Sequence, residues 1–270
     1  MDAMTLAFSP CPNDTFIFHA MLHGLVDTEG LSFNPYIHDV EDLNRNACEG
    51  RFHITKLSIH AYLLLQNNYC MLDAGAALGF GCGPVLVARE DSVFNQKRDS
   101  LKDAVIAIPG EYTTAHLLLK LWFPGLHTVS TRFNAIMPGV RDGVYDAGLI
   151  IHEGRFVYPR YGLRKIVDLG EWWEQETGMP IPLGCIAIRR DLMEHHERVG
   201  RIISESAAFA QRNPGQSRSY ICSHAQEMDD AVIREHIALY VNDFSLSLGE
   251  EGMKAVIILE EMARCRGILP

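Results

Sequence analysis

The sequence predicts an α/β fold with two lobes around a central cleft. Three observations predict it. Short apolar strands alternate with helical spacing through residues 4–66, a second strand–helix series runs through 85–151, and a late strand at 185–188 is followed only by helical sequence. That alternation favours at least partly parallel strands, because a parallel pair needs the long crossover that a helix supplies.

The elements follow in order. Residues 4–8 form an apolar strand, and the turn-rich Ser9-Pro10-Cys11-Pro12-Asn13-Asp14 follows it. Helical spacing over 15–25 stops at Gly24, with Asn13 or Asp14 as the expected N-cap. Strand 31–37 precedes helix 39–49, which Gly50 ends. Residues 54–58 enter a helix over 59–66. Gly81-Cys82-Gly83-Pro84 leads into the β-branched strand 85–88, and the charged stretch 89–103 is the expected crossover. Strand 104–108, the turn Pro109-Gly110-Glu111-Tyr112 and helix 114–122 form the next unit, and strand 147–151 follows Asp146. Beyond 185–188, helices are expected to start near Asp191, Asp229 and Leu248. This layout assigns 1–98 and 190–270 to a large lobe and 99–189 to a small one, with the chain leaving the first near 89–103 and returning near 185–190. Ligands of two-lobed α/β proteins sit in the cleft beyond the strand ends.

Bulk properties narrow the function. With 270 residues, 47% hydrophobic and 21% charged, the chain has the composition of a globular protein. A formal charge of -10 argues against nucleic acid and against an anionic membrane as partner, both of which attract a basic face. A small-molecule partner is expected. The sequence shows no secretory signal and no run of about 20 apolar residues, and its seven cysteines contain no CxxC pair. The expectation is a cytoplasmic protein with reduced thiols, a monomer or a homodimer.

Four segments have the composition to line the cleft. Ser9 to Thr15 is stiffened by two prolines and projects Asn13 and Asp14 from a strand–helix junction. Lys56-Leu57-Ser58 offers an ammonium and a hydroxyl at a helix start, although capping alone accounts for Ser58. Thr113-Thr114-Ala115 opens an apolar helix, and one cap explains one threonine but not both. In Ala147 to Phe156 an apolar strand ends in His152-Glu153-Gly154-Arg155, the place where an α/β fold presents a catalytic base. His195-His196 reads as solvated surface, and His19 and His23 share a helix face without a carboxylate pair, so no metal is expected. Cys11 reads as structural. Gly79-Phe80-Gly81-Cys82-Gly83-Pro84 precedes a strand, which excludes a dinucleotide loop, and no Walker A, HExxH or GxSxG motif is present.

Three segments then acquire a common meaning: Ser9-Pro10-Cys11-Pro12-Asn13-Asp14-Thr15-Phe16, Gly83-Pro84-Val85-Leu86-Val87 and Ile150-Ile151-His152-Glu153-Gly154-Arg155-Phe156. With Asp168-Leu169-Gly170-Glu171-Trp172-Trp173 and Gly178-Met179-Pro180-Ile181-Pro182-Leu183-Gly184, the chain resembles the 1,4-dihydroxy-6-naphthoate synthase family of the futalosine route to menaquinone. The resemblance implies a type II periplasmic-binding-protein-like fold turned into a lyase. It implies that cyclic dehypoxanthinylfutalosine is cleaved to 1,4-dihydroxy-6-naphthoate and dihydroxyacetone without a metal or redox cofactor. It further implies His152 as catalytic base and Lys56, Leu57, Ser58, Thr113, Thr114 and Ala115 as substrate contacts, with Asn13 and Asp14 beside them. Asp14 would then pair with a substrate hydroxyl, and Glu153 would orient the imidazole, although neighbours on a strand point to opposite faces. Cys185 stands where glycine is expected in many relatives. The competing readings are a chorismate dehydratase of the same pathway and a non-catalytic solute-binding protein for an anionic small molecule.

Overall fold

The structure, a computed structural model, describes residues 3–94, 98–225 and 229–270. Eleven strands among the described residues build two sheets. The first sheet takes β1 (Met4–Phe8), β2 (Phe33–Ile37), β3 (Ile54–Ser58), β4 (Tyr69–Met71) and β5 (Ala77–Gly79). The second takes β6 (Val85–Arg89), β7 (Val105–Ile108), β8 (His127–Ser130), β9 (Ala147–Ile150) and β10 (Leu163–Asp168). The last strand, β11 (Ile181–Arg189), returns to the first sheet, between β3 and β4 and also beside β5. Strand orders are 2-1-3-11-4 and 10-6-9-7-8. Pairing of β1 with β2 and β3, and of β7 with β8 and β9, is parallel. By contrast, β11 and β6 run antiparallel to their neighbours.

Two sheet memberships differ from the sequence layout. Val85–Arg89 belongs to the second sheet and Ile181–Arg189 to the first, so the chain crosses between sheets at 80–84 and 169–180. The two crossings touch. A Cβ on Gly83 would lie far inside contact of the Gly170 backbone, so both positions need glycine for the segments to pass. The crossing is pinned by Arg155, which pairs with Asp168 at 3.0 Å and also donates to the Gly83 carbonyl. Asp168 caps helix Leu169–Thr177 through the amides of Gly170 and Glu171, and the Trp173 indole, fully buried, donates to the Pro180 carbonyl.

One apolar core runs across both sheets and holds Leu57, Leu86, Ile106, Leu117, Trp173 and Cys185. A second fills the outer side of the first sheet, where helix Pro12–Leu22 packs on helix His196–Arg212. The C-terminal helix Gly249–Cys265 packs against β11.

Several local expectations change. The first helix begins at Pro12, with Cys11 rather than Asn13 or Asp14 at its N-cap, because proline is suited to the first turn and frees both polar side chains to point inward. The strand around Cys185 is longer than the sequence suggests and absorbs Pro182 at an irregularity in its pairing with β5. His195 is buried and the half-buried His196 ring contacts the Met71 carbonyl at 2.9 Å, so this pair closes the helix start against β4 instead of facing solvent. Part of the stretch 89–103 lies outside the described residues.

Candidate active site

Where β1 ends, the chain turns through Ser9 to Cys11 and enters the helix, and Asp14 faces back under the turn. Its carboxylate is 1% exposed and takes four donors. Ser9 donates through its amide at 3.1 Å and its hydroxyl at 2.7 Å, Asn13 through its side chain at 2.8 Å, and Lys56 through Nζ at 3.0 Å. Lys56 is itself buried on β3, so this is an ion pair largely out of water. Asp14 therefore has its acceptor sites filled by the protein. Its part is to hold the ammonium rather than to meet a substrate hydroxyl.

At the end of β3, Ser58 makes no side-chain cap to the following helix. Instead, buried Asn44 grips it twice, Nδ2 donating to its hydroxyl and Oδ1 accepting its amide, each at 3.0 Å. Capping therefore does not account for this serine.

The Thr113-Thr114 turn divides its work. Thr113 caps helix Thr114–Trp122, accepting from the His116 amide at 3.2 Å. The Thr114 hydroxyl reaches across to the first sheet and donates to the Leu183 carbonyl on β11 at 2.7 Å. The amides of Thr114 and Ala115 precede the first helical hydrogen bond, from Leu117 to Thr113, at the positive end of the helix. The same turn is tied down by Glu41, which accepts from the amides of Glu111 and Tyr112 and fills the space a Gly110 side chain would need.

His152 follows β9 in a left-handed backbone conformation, φ 56°. Such a position in a non-glycine residue stores on the order of 1–3 kcal/mol. The ring packs edge-on against Phe133, and Nδ1 lies 3.4 Å from the Cys11 sulfur. Among the described residues, Nε2 has no hydrogen-bond partner. Burial lowers the pKa to about 4, opposed by nearby Asp14 and reinforced by Lys56, so the imidazole is neutral at pH 7. Among the described residues no hydrogen bond joins Glu153 to the ring. That carboxylate lies 3.9 Å from Nδ1 of His236, whose Nε2 donates to the Asn13 side-chain oxygen Oδ1 at 2.9 Å.

These elements line one cavity. Its walls include every residue singled out for catalysis or binding: His152, Lys56, Leu57, Ser58, Thr113, Thr114, Ala115, Asn13 and Asp14. Sequence reasoning missed Tyr240, Cys82 and Leu183, which also face it, and His236 behind it. Tyr240 and His236 arrive on helix Asp230–Tyr240, and nothing local in that apolar, charged stretch marks them. Among the described residues no group of three His, Cys, Asp or Glu side chains is arranged to hold a metal ion, and no helix is long and apolar enough to cross a membrane.

Two α/β sheets, two touching crossovers and a cavity between them define a fold of the periplasmic-binding-protein class. The alkanesulfonate-binding protein of Xanthomonas axonopodis pv. citri shares that fold, with a TM-score of 0.74 over 100% of this chain and 95% of that one at 13% identity. Within that class, the chain belongs to the menaquinone biosynthesis family, which it matches over residues 4–265. It is 48% identical over 269 residues to a 1,4-dihydroxy-6-naphthoate synthase of Thermus thermophilus, covering 99% of this chain and 96% of that protein. A second synthase of that name, from Streptomyces coelicolor, is 41% identical over 276 residues, covering 100% and 95%. A solved structure from Archaeoglobus fulgidus superposes with a TM-score of 0.91 at 40% identity, covering 98% of each chain.

Proposed function

We propose that the chain is a lyase that converts cyclic dehypoxanthinylfutalosine to 1,4-dihydroxy-6-naphthoate and dihydroxyacetone, with His152 as the base that starts the reaction. One observation carries the assignment of the base: a neutral imidazole on a strained turn, with Nε2 unpartnered among the described residues at the cavity wall. Opening a sugar-derived ring beside a carbonyl needs a proton removed and the resulting negative charge held, and aromatisation of the naphthalene ring then drives the sequence forward. His152 Nε2 takes the proton. Lys56, the Ser58 hydroxyl and the first-turn amides of Thr114 and Ala115 bind the carboxylate and the developing oxyanion. Asp14 fixes the Lys56 ammonium, and Asn44 fixes Ser58, so the donors are in place before substrate arrives. The two sheets act as lobes that close over the substrate and exclude water from an oxidisable quinol-like product. A cytoplasmic setting and a small-molecule partner fit this chemistry. Since every residue named comes from one chain, a monomer suffices and a homodimer is compatible.

The reading is tested by turnover of purified protein on cyclic dehypoxanthinylfutalosine, following 1,4-dihydroxy-6-naphthoate. Wild type forms product, and His152→Ala loses at least about a hundredfold in kcat, as removal of a general base requires. Product from both proteins discards His152 as the base. Binding without turnover in wild type returns the chain to the solute-binding reading, and chorismate consumption would make it the dehydratase.

A further inference from the structure

We infer that Cys11 is a positioning residue for His152: its sulfur accepts the Nδ1 proton and so leaves the Nε2 lone pair facing the cavity. The inference rests on the proposed role of His152 as base. The argument starts from the two ring nitrogens. Nδ1 is covered by Cys11 at 3.4 Å, whereas Nε2 has no hydrogen-bond partner among the described residues, and the residue lines the cavity. A neutral imidazole carries one proton, and only the nitrogen without it can act as base. If Nε2 takes the substrate proton, Nδ1 must bear hydrogen, and a buried N–H needs an acceptor. Among the described residues, the sulfur is the acceptor in reach.

A thiol can also donate, which would reverse the tautomer and put a useless N–H into the cavity. The proposed role of Nε2 requires the sulfur to accept, because only that tautomer leaves Nε2 able to take a proton. The loop that carries the sulfur is fixed by Ser9, whose Oγ donates to Asp14 at 2.7 Å and accepts from the Cys11 amide at 3.4 Å, and Asp14 in turn is held by Lys56. Burial and the neighbouring carboxylates push the thiol well above its ordinary pKa, so it remains a protonated, uncharged partner. Position is equally constrained: Cys11 sits between two prolines, and its carbonyl accepts from the amides of Asp14 and Thr15 and from the Thr15 hydroxyl.

The tautomer can be read directly, without substrate, from the imidazole nitrogen chemical shifts of the labelled full-length protein near pH 7. The His152 signals are assigned as those missing from His152→Gln. Wild type should show a pyrrole-type Nδ1 and a pyridine-type Nε2. Cys11→Ala should shift the population toward hydrogen on Nε2. Its kcat should fall about tenfold, the worth of one orienting hydrogen bond, with KM changed by less than about twofold. Cys11→Ser, which keeps both a donor and an acceptor, should restore the wild-type tautomer and most of kcat. Hydrogen on Nε2 in wild type, or Cys11→Ala with an unchanged tautomer and full kcat, overturns the inference. The expected tautomers in a wild-type protein that does not turn over cyclic dehypoxanthinylfutalosine would support the Cys11–His152 arrangement and sink the lyase reading instead.

Discussion

Replacing Asp14 by asparagine changes almost no volume, so its cost isolates charge and hydrogen bonding. The carboxylate accepts four hydrogen bonds at 2.7–3.1 Å, two from Ser9 and one each from Asn13 and Lys56. An amide keeps one accepting oxygen, and its NH2 faces donors. The Lys56 side chain is only 7% exposed, so its ammonium loses a counter-ion where water cannot replace it. Breaking a buried pair from one side costs about 3–5 kcal/mol. For a chain of this size, about 4 kcal/mol lowers Tm by on the order of 10 °C. Urea unfolding followed by circular dichroism measures the loss for Asp14→Asn, Lys56→Met and the double variant. Because the double variant carries no stranded charge, it should be more stable than Asp14→Asn alone, with a coupling energy of about 2 kcal/mol. A single-variant loss under about 1 kcal/mol would refute the reasoning, since it lies below what an uncompensated buried charge costs. So would a Lys56→Met cost that simply adds.

Two further outcomes follow from the same site. His152 acts as a base only when neutral, and its pKa is lowered to about 4, so kcat/KM should stay flat from about pH 7 to 5 and fall as pH drops through about 4. Lys56→Met removes a cation that helps lower this value and should move the acid limb upward; a wild-type limb near the ordinary imidazole value of about 6.5 would contradict the assignment. Asn44→Ala strips both partners from Ser58 inside the protein, which should cost about 2 kcal/mol in urea unfolding and raise KM more than it lowers kcat. An unchanged KM would remove Ser58 from substrate binding.

The sequence determined the elements whose cause is local. Strand Ile54–Ser58 and helix Thr114–Trp122 fall where apolar patterning and caps put them, and Gly50 ends its helix in the left-handed conformation that only glycine adopts cheaply. It also marked the four cleft segments, because stiff turns and hydroxyls at strand–helix junctions are local signals too. Tertiary structure decided everything that depends on partners distant along the chain. The sheet to which Val85–Arg89 and Ile181–Arg189 belong is a matter of strand pairing, and each strand's own pattern is compatible with either one. Whether Ser58 was a cap or a gripped hydroxyl depended on Asn44, 14 residues away, and the partner of Asn13 was His236, 223 residues away. Cys11 gave no sign of its neighbour, because a thiol between prolines meets the His152 imidazole only when 141 residues of chain fold back on it. The four donors around Asp14 have the same character. A carboxylate at a helix start reads as a cap until burial leaves an ammonium as its strongest available partner, and only the packed interior makes that choice.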